Sequence, residues 1–559
     1  MHKFMPNRFQ PALLPSGKRR LAGVLLAAHV LAGCAGWSQP AAPDAGNDAG
    51  AAGCARWFQT LDDVTRQAGV GDGSAHRLAD YPFLRSDRFL ASFGEEVAGN
   101  SLALEAWVSR LAELDRHARA LELGNLPLQF VPLLSASANR MNSASSPATP
   151  AAAYDKQPIS AATRRCAGLA EAALIKTLRA PESEPERRKL AAQAQVPDDY
   201  SAVKRAFGLY PLTRQPFFSG VRRWQQSAAE KFLATLQLDP KTLPVIHYRP
   251  AGEPVTSSQI AEIYAKRQPD VLGMARLSTG DEAALLRAYA PDLQIETGGD
   301  FDRFGPLLWA AQSPTVAARA GTAASPTVDI RQPVMYQRLA YTRHHGQTLL
   351  QLVYSVWFPE RPLAPGIDLL GGKLDSVALR LTLAPDGTPW LYDSIHSCGC
   401  YHLFFTTPGA VPRPAPRASV EWAFVPATLP ALAVGQRVVM RLSSGSHYVE
   451  GLQALNAQMS DQLNATAPQP AASPYTLMND QALQALPVTG ASGGVTRSAF
   501  WPHGIVPGTE RGERLLFWPM GIDSAGAMRQ WGRQPTAFVG RRHFDDADLL
   551  QQRFERLQD

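Results

Sequence analysis

Between Val334 and Ile395 the chain repeats a pattern that few folds can satisfy: strand-length apolar runs, each ended by a turn signal. Val334 to Thr342 alternates, and His344-His345-Gly346 then breaks the pattern ahead of the apolar run Leu349 to Phe358. Ser376 to Leu383 and Pro389 to Ile395 flank Pro385-Asp386-Gly387. Asp-Gly between two such runs signals a hairpin, because a tight turn demands the positive φ that glycine accepts. Helix patterns are scarce here, so antiparallel hairpins fit better than parallel crossovers. Shorter strands are expected at Val420 to Phe424 and Arg437 to Leu442, with proline- and alanine-rich breaks at Pro408 to Pro416 and Ala465 to Pro474. Asp548 to Leu557 reads as a short closing helix.

Ahead of Leu243 the period is helical. Cys54, Trp57, Leu61, Val64 and Ala68 recur at three- and four-residue steps, which puts Cys54 on an apolar helix face. A second stripe follows Ser101, a suitable N-cap: Leu104, Trp107, Leu111, Leu114, Ala118 and Leu121. A third helix runs from about Thr163 to Leu178 with Cys166 on one side, and Val221 to Leu236 closes the helical part. Ser135 to Ser160 is Ser/Ala/Pro-rich and reads as a loop. Tyr81-Pro82 with Arg85 and Phe89 is echoed by Tyr210-Pro211 with Arg214 and Phe218, as a duplicated helical unit would give. At 559 residues the chain exceeds the usual length of one domain. The expected fold class is α+β: an α-helical domain over 54–236, then an antiparallel β-rich domain over 237–559.

The N-terminus reads as a processing signal over residues 1–33. Lys18, Arg19 and Arg20 precede the apolar run Leu21 to Leu31, which is too short to span a bilayer and ends in Leu31-Ala32-Gly33-Cys34. This ending resembles the lipobox of bacterial lipoproteins, and the resemblance covers only this segment. It implies lipidation of Cys34, a membrane anchor through that lipid and, with Ala35 following, the periplasmic side of the outer membrane. Residues 35–53 are Ala/Gly/Pro-rich and read as a tether. Residues 1–33 hold five basic and no acidic side chains. Of 55 basic and 49 acidic residues the mature part therefore keeps 50 and 49, a net of +1. Nucleic acid loses its electrostatic case as a partner.

Four further cysteines remain: Cys54, Cys166, Cys398 and Cys400. Cys54 and Cys166, on apolar faces of separate helices, are expected to pair or pack together. The other two stand in His396-Ser-Cys398-Gly-Cys400-Tyr-His402, the densest cluster of soft donors in the chain. On a strand all four would share a face. A straight strand would hold the two histidines roughly 20 Å apart, too far to wrap one zinc or copper ion. A metal site or a Cys398–Cys400 disulfide therefore needs a bend at Gly399; otherwise the two cysteines pair with Cys54 and Cys166, or are buried or redox-active thiols. His503, His543 and Asp545, in an aromatic- and glycine-rich C-terminal stretch, are weaker candidates to complete the site. Gly490-Ala-Ser492-Gly-Gly494 matches a hydrolase elbow in letters but lacks a following helix pattern. The chain thus reads as an envelope lipoprotein with a binding or structural role. The alternative is a metal-dependent or thiol enzyme using the Cys/His run.

Overall fold

In the computed structural model, which describes residues 51–142, 154–235, 243–309, 325–416, 419–456, 472–490 and 495–557, the helical period becomes a layer of helices and the alternating stretch one large sheet. The architecture is α+β. The signal, Cys34, the tether up to residue 50 and Ser492 lie outside the described residues, as do residues 143–153 of the Ser/Ala-rich stretch.

The helical layer holds α1 (Ala51–Ala68), a ribbon of β1 (His76–Leu78) and β2 (Tyr81–Ser86), α2 (Ser101–Asn125), α3 (Val131–Met141), α4 (Gln157–Leu178), α5 (Glu184–Gln193), α6 (Ala202–Phe207) and α7 (Tyr210–Thr235). Asn100 rather than Ser101 caps α2, its side chain accepting from Leu102 and Ala103 N–H. Cys54 on α1 and Cys166 on α4 form a disulfide beside Trp57, Leu61, Leu134 and Ile159. Part of the expected Ser135 loop is helical, because Leu134, Ala138 and Met141 bury one stripe of α3. Ala51 to Gly53, expected in the tether, open α1. The Tyr-Pro echo is not a structural repeat: Tyr81-Pro82 starts a strand and Tyr210-Pro211 a helix.

The sheet is assembled from β3 (Val245–Pro250), then, after α8 (Ser257–Lys266) and α9 (Thr279–Ala288), β4 (Asp292–Glu296), β5 (Val334–His344), β6 (Gln347–Arg361), β7 (Gly372–Leu383), β8 (Pro389–His396), β9 (Leu403–Thr406), β10 (Ala427–Thr428), β11 (Val438–Leu442), β12 (Val449–Ala454) and β13 (Ser473–Asn479). Its eleven strands run β10-β9-β8-β7-β6-β5-β13-β3-β4-β11-β12. The hairpins from β5 to β9 are antiparallel as their turns dictate. The sheet as a whole is mixed, because β13 lies parallel between β5 and β3, β11 parallel to β4, and β10 parallel to β9. No strand forms at Val420 to Phe424, where Glu421 instead accepts the N–H groups of Phe538 and Val539. The closing helix is shorter than expected, α10 (Arg514–Phe517) preceding α11 (Leu549–Arg553), after which Phe554–Arg556 pairs with Ala410–Pro412.

One face of the sheet, with Leu352, Tyr354, Leu379 and Tyr392, packs under Ile260, Leu285 and Leu286 of α8 and α9. Every residue of β8 is buried, so its other face is covered as well. Helical layer and sheet belong to one compact unit, Asn47–Asp559. Arg88 donates to Gly532 O at 2.7 Å and pairs with Asp545, while Tyr200 Oη donates to Ala537 O at 2.8 Å. Among the described residues no helix is long and apolar enough to cross a membrane.

Candidate functional site

The His-x-Cys-x-Cys-x-His run is a hairpin turn, not a strand. β8 ends at His396, whose carbonyl accepts Gly399 N–H at 2.7 Å while its own N–H donates to Cys400 O at 3.0 Å. Gly399 takes φ +92 and Tyr401 φ +58. The bend expected at Gly399 is therefore present, but strand alternation does not carry across a turn. His396, opposite Val377, lies on the face of Tyr392, whereas His402 hydrogen-bonds Asp393 on the other.

His396 ends a buried chain of imidazoles and carboxylates. Its Nδ1 lies 3.3 Å from Asp375 Oδ1, and His447 Nδ1 donates to Asp375 Oδ2 at 2.9 Å. His447 Nε2 reaches Asp302 Oδ1 at 3.3 Å and Phe301 O at 3.2 Å, and the ring stacks on Phe358 with centroids 3.9 Å apart. Asp302 also accepts from Gly298 N, Gly445 N and Ser444 Oγ, each at 2.7 Å. Burial alone would depress the His447 pKa, but the hydrogen bonds to Asp302 and Asp375 raise it, as an imidazole donating at both nitrogens requires. Burial would raise Asp375, yet His396 and His447 hold it well below the carboxylate range. His396 is lowered by burial, and its Nε2 is buried without a hydrogen-bond partner. The ring edges onto Tyr401 and Tyr448, whose hydroxyls lie 2.8 Å apart with Arg361 Nη2 donating to Tyr448 at 3.1 Å. A carboxylate-backed imidazole with one unpartnered nitrogen can give or take a proton.

On the opposite face the chemistry is structural. Arg380 clamps Asp393 with Nε at 2.9 Å and Nη2 at 2.6 Å, and His402 Nε2 donates to Asp393 Oδ2 at 2.8 Å. Burial pushes the His402 pKa down to about 3, so it holds the strand as a neutral ring.

The turn borders a cavity of about 530 Å³. Pro216, Phe217, Gly220, Val221 and Trp224 of α7 line it, together with Leu369, Leu516, Phe517 and Phe538. Trp224 packs on Tyr401 at 5.1 Å. The polar lining includes Cys398, Cys400, Tyr401, Glu421 and Glu513. Burial pushes the Glu513 carboxyl up to about 7. Both cysteines are free thiols, with Cys400 N–H directed at Cys398 Sγ over 3.4 Å. Contact with Cys398, then burial, raises the Cys400 thiol well above its ordinary value.

The weaker candidates make their contacts elsewhere. His503 stacks on Trp501, His543 pairs with Asp199 and Asp546, and Asp545 holds Arg88. Asp375, Asp302, His447, Tyr448, Arg361 and Trp224 were not singled out from the sequence. One trace was there: Asp375 is a carboxylate at the head of an apolar strand, which demands a buried partner. Among the described residues no three His, Cys, Asp or Glu side chains gather into a metal-binding group. Comparison with protein-family models, curated proteins and solved structures finds no match to this chain.

Proposed function

We propose that the chain is an outer-membrane lipoprotein, anchored through Cys34 on the periplasmic side, whose folded part binds an apolar small molecule in the cavity over the Cys398–Cys400 turn. The observation that carries the reading is the cavity. Its volume of about 530 Å³ suits a small ligand, and aliphatic and aromatic walls with a few converging polar groups are the usual make-up of a binding site. Elements lining it also carry exposed apolar side chains: Leu212 on α7, Leu515 and Leu516 on α10, and Leu363 and Ile367 on the segment leading to Leu369. Such a fringe favours entry of an apolar ligand.

Gly220 supplies the test. It lines the cavity, and a Cβ there meets nothing within 4 Å, so the side chain of Gly220→Leu starts into open space and the change removes a helix-interior glycine. A fluorescent fatty acid is expected to bind the parent and to lose at least about tenfold in affinity in Gly220→Leu, at an unchanged or higher melting temperature. Equal binding by both, or none by the parent, overturns the reading. Anchoring is tested apart, by the loss of detergent partitioning in Cys34→Ser.

A thiol or acid–base enzyme is the second reading, favoured by the buried, unpartnered Nε2 of His396 at the end of its carboxylate chain. It expects His396→Gln to abolish turnover of a bound ligand while leaving the fatty-acid affinity unchanged.

A further inference from the structure

Neither of these readings uses the cysteines as a pair. Cys398 and Cys400 occupy one rigid turn, border one cavity and lie in hydrogen-bonding contact. The turn is held by its two backbone hydrogen bonds and by Gly399 wedged against Pro535, so the two sulfurs are brought together before any ligand arrives. Nitrogen ligands are denied to them. His396 is committed to Asp375 on one face of the sheet and His402 to Asp393 on the other. Among the described residues no third donor joins the pair to make a group of three. Structural zinc is almost always tetrahedral, with four protein ligands, and this donor set does not supply them.

A second observation concerns charge. Arg529 is buried beside the turn, its backbone N–H donating to Ser397 O at 3.1 Å. Its guanidinium donates to the carbonyls of Asp523 and Ser524, neutral acceptors, and its Nε is buried with no hydrogen-bond partner. Asp199 acts on this cation through space, but the guanidinium's hydrogen bonds go only to carbonyls, so a further anion forming beside it is favoured.

We propose that Cys398 and Cys400 form a two-coordinate thiolate site for a soft monovalent cation, copper(I), with Arg529 balancing the charge of the complex. Two Cu–S bonds form and two S–H bonds break. Both protons leave to solvent, and copper enters and stays as copper(I), so no electrons move. One positive ion on two thiolates carries a net −1, which the single guanidinium offsets. Soft sulfur ligands select copper(I), and two donors satisfy it.

The test is a copper(I) titration of the reduced full chain under argon, in competition with the chromophoric chelator bicinchoninate. One equivalent is expected to bind, with affinity falling at least about 100-fold in Cys398→Ser and again in Cys400→Ser, a larger effect than loss of an outer-shell contact. Zinc in tenfold excess is expected not to displace it. Arg529→Gln should weaken binding by about tenfold, and Arg529→Lys, which keeps the charge, by less. Copper(I) uptake by the double serine variant equal to that of the folded parent overturns the site. Displacement by equimolar zinc overturns its selectivity. Fatty-acid binding by the parent is measured separately, with no copper present, so that failure of the copper site and failure of the cavity reading are distinguishable.

Discussion

Gly399 lies with its Cα against the carbonyl of Pro535, so closely that a Cβ would overlap the oxygen. Two demands meet there, a φ of +92 and a missing side chain. Gly399→Val is expected to cost about 1–2 kcal/mol in backbone strain alone. Displacement of Pro535 should bring the total to at least about 3 kcal/mol. Urea denaturation measures it; an unchanged midpoint would contradict the packing. A plain strand would have tolerated the valine, so the same experiment separates turn from strand.

Cys54–Cys166 closes a loop of 112 residues. Cys166→Ala should lose about 4–5 kcal/mol in the chain-entropy account. Non-reducing peptide maps of the parent should link only these two, leaving Cys398 and Cys400 open to alkylation after denaturation.

Asp375 serves two buried imidazoles at once. Asp375→Asn keeps the shape but removes one of the two carboxylates that face His447, leaving Asp302, and should cost about 1–3 kcal/mol. If chemical denaturation finds less than about 1 kcal/mol, the chain of hydrogen bonds is not fixed as described.

His543 ties the helical layer to the C-terminal loops. Burial works against its charge, but Asp199 and Asp546 hold its pKa above the ordinary value. Burial likewise opposes ionised Asp199, which His543 and Arg533 nonetheless hold at about 2. The native state keeps the His543 proton longer than the unfolded chain, so that contribution is complete below about pH 6.5 and is lost as pH rises through the folded value. Asp199 contributes fully above about pH 4, and its share is lost as pH falls toward 2. The tie should be strongest between these limits. Asp199→Asn should flatten the stability–pH curve on both sides, as thermal melts from pH 3 to 8 would record.

What could be read in advance was local. The hairpins around Gly346 and Gly387 announced themselves because turn residues punctuate alternating runs, and Cys54 and Cys166 because each sits on a helical apolar stripe. The α+β division followed from the change of period. Parallel pairings were hidden, since nothing local ties Ser473 to Tyr248 or Thr476 to Val334. The site was half legible. The Cys-Gly-Cys turn showed itself by composition, while Asp375, the partner of His396, lies 21 residues upstream and the next imidazole, His447, 72 residues downstream of Asp375. Alternation also misassigned His402, because a turn resets which side of the sheet a residue faces.

β13 joins two groups of strands that share no other pairing among the described residues: β5 to β10 on one side, β3, β4, β11 and β12 on the other. As a late arrival it sets the order of assembly. The hairpins can form as they emerge, but the sheet stays in two halves, each with an unpaired edge, until residue 479 is available. A chain cut short before Ser473 should therefore populate an aggregation-prone species with two open edges, rather than a smaller version of the same fold.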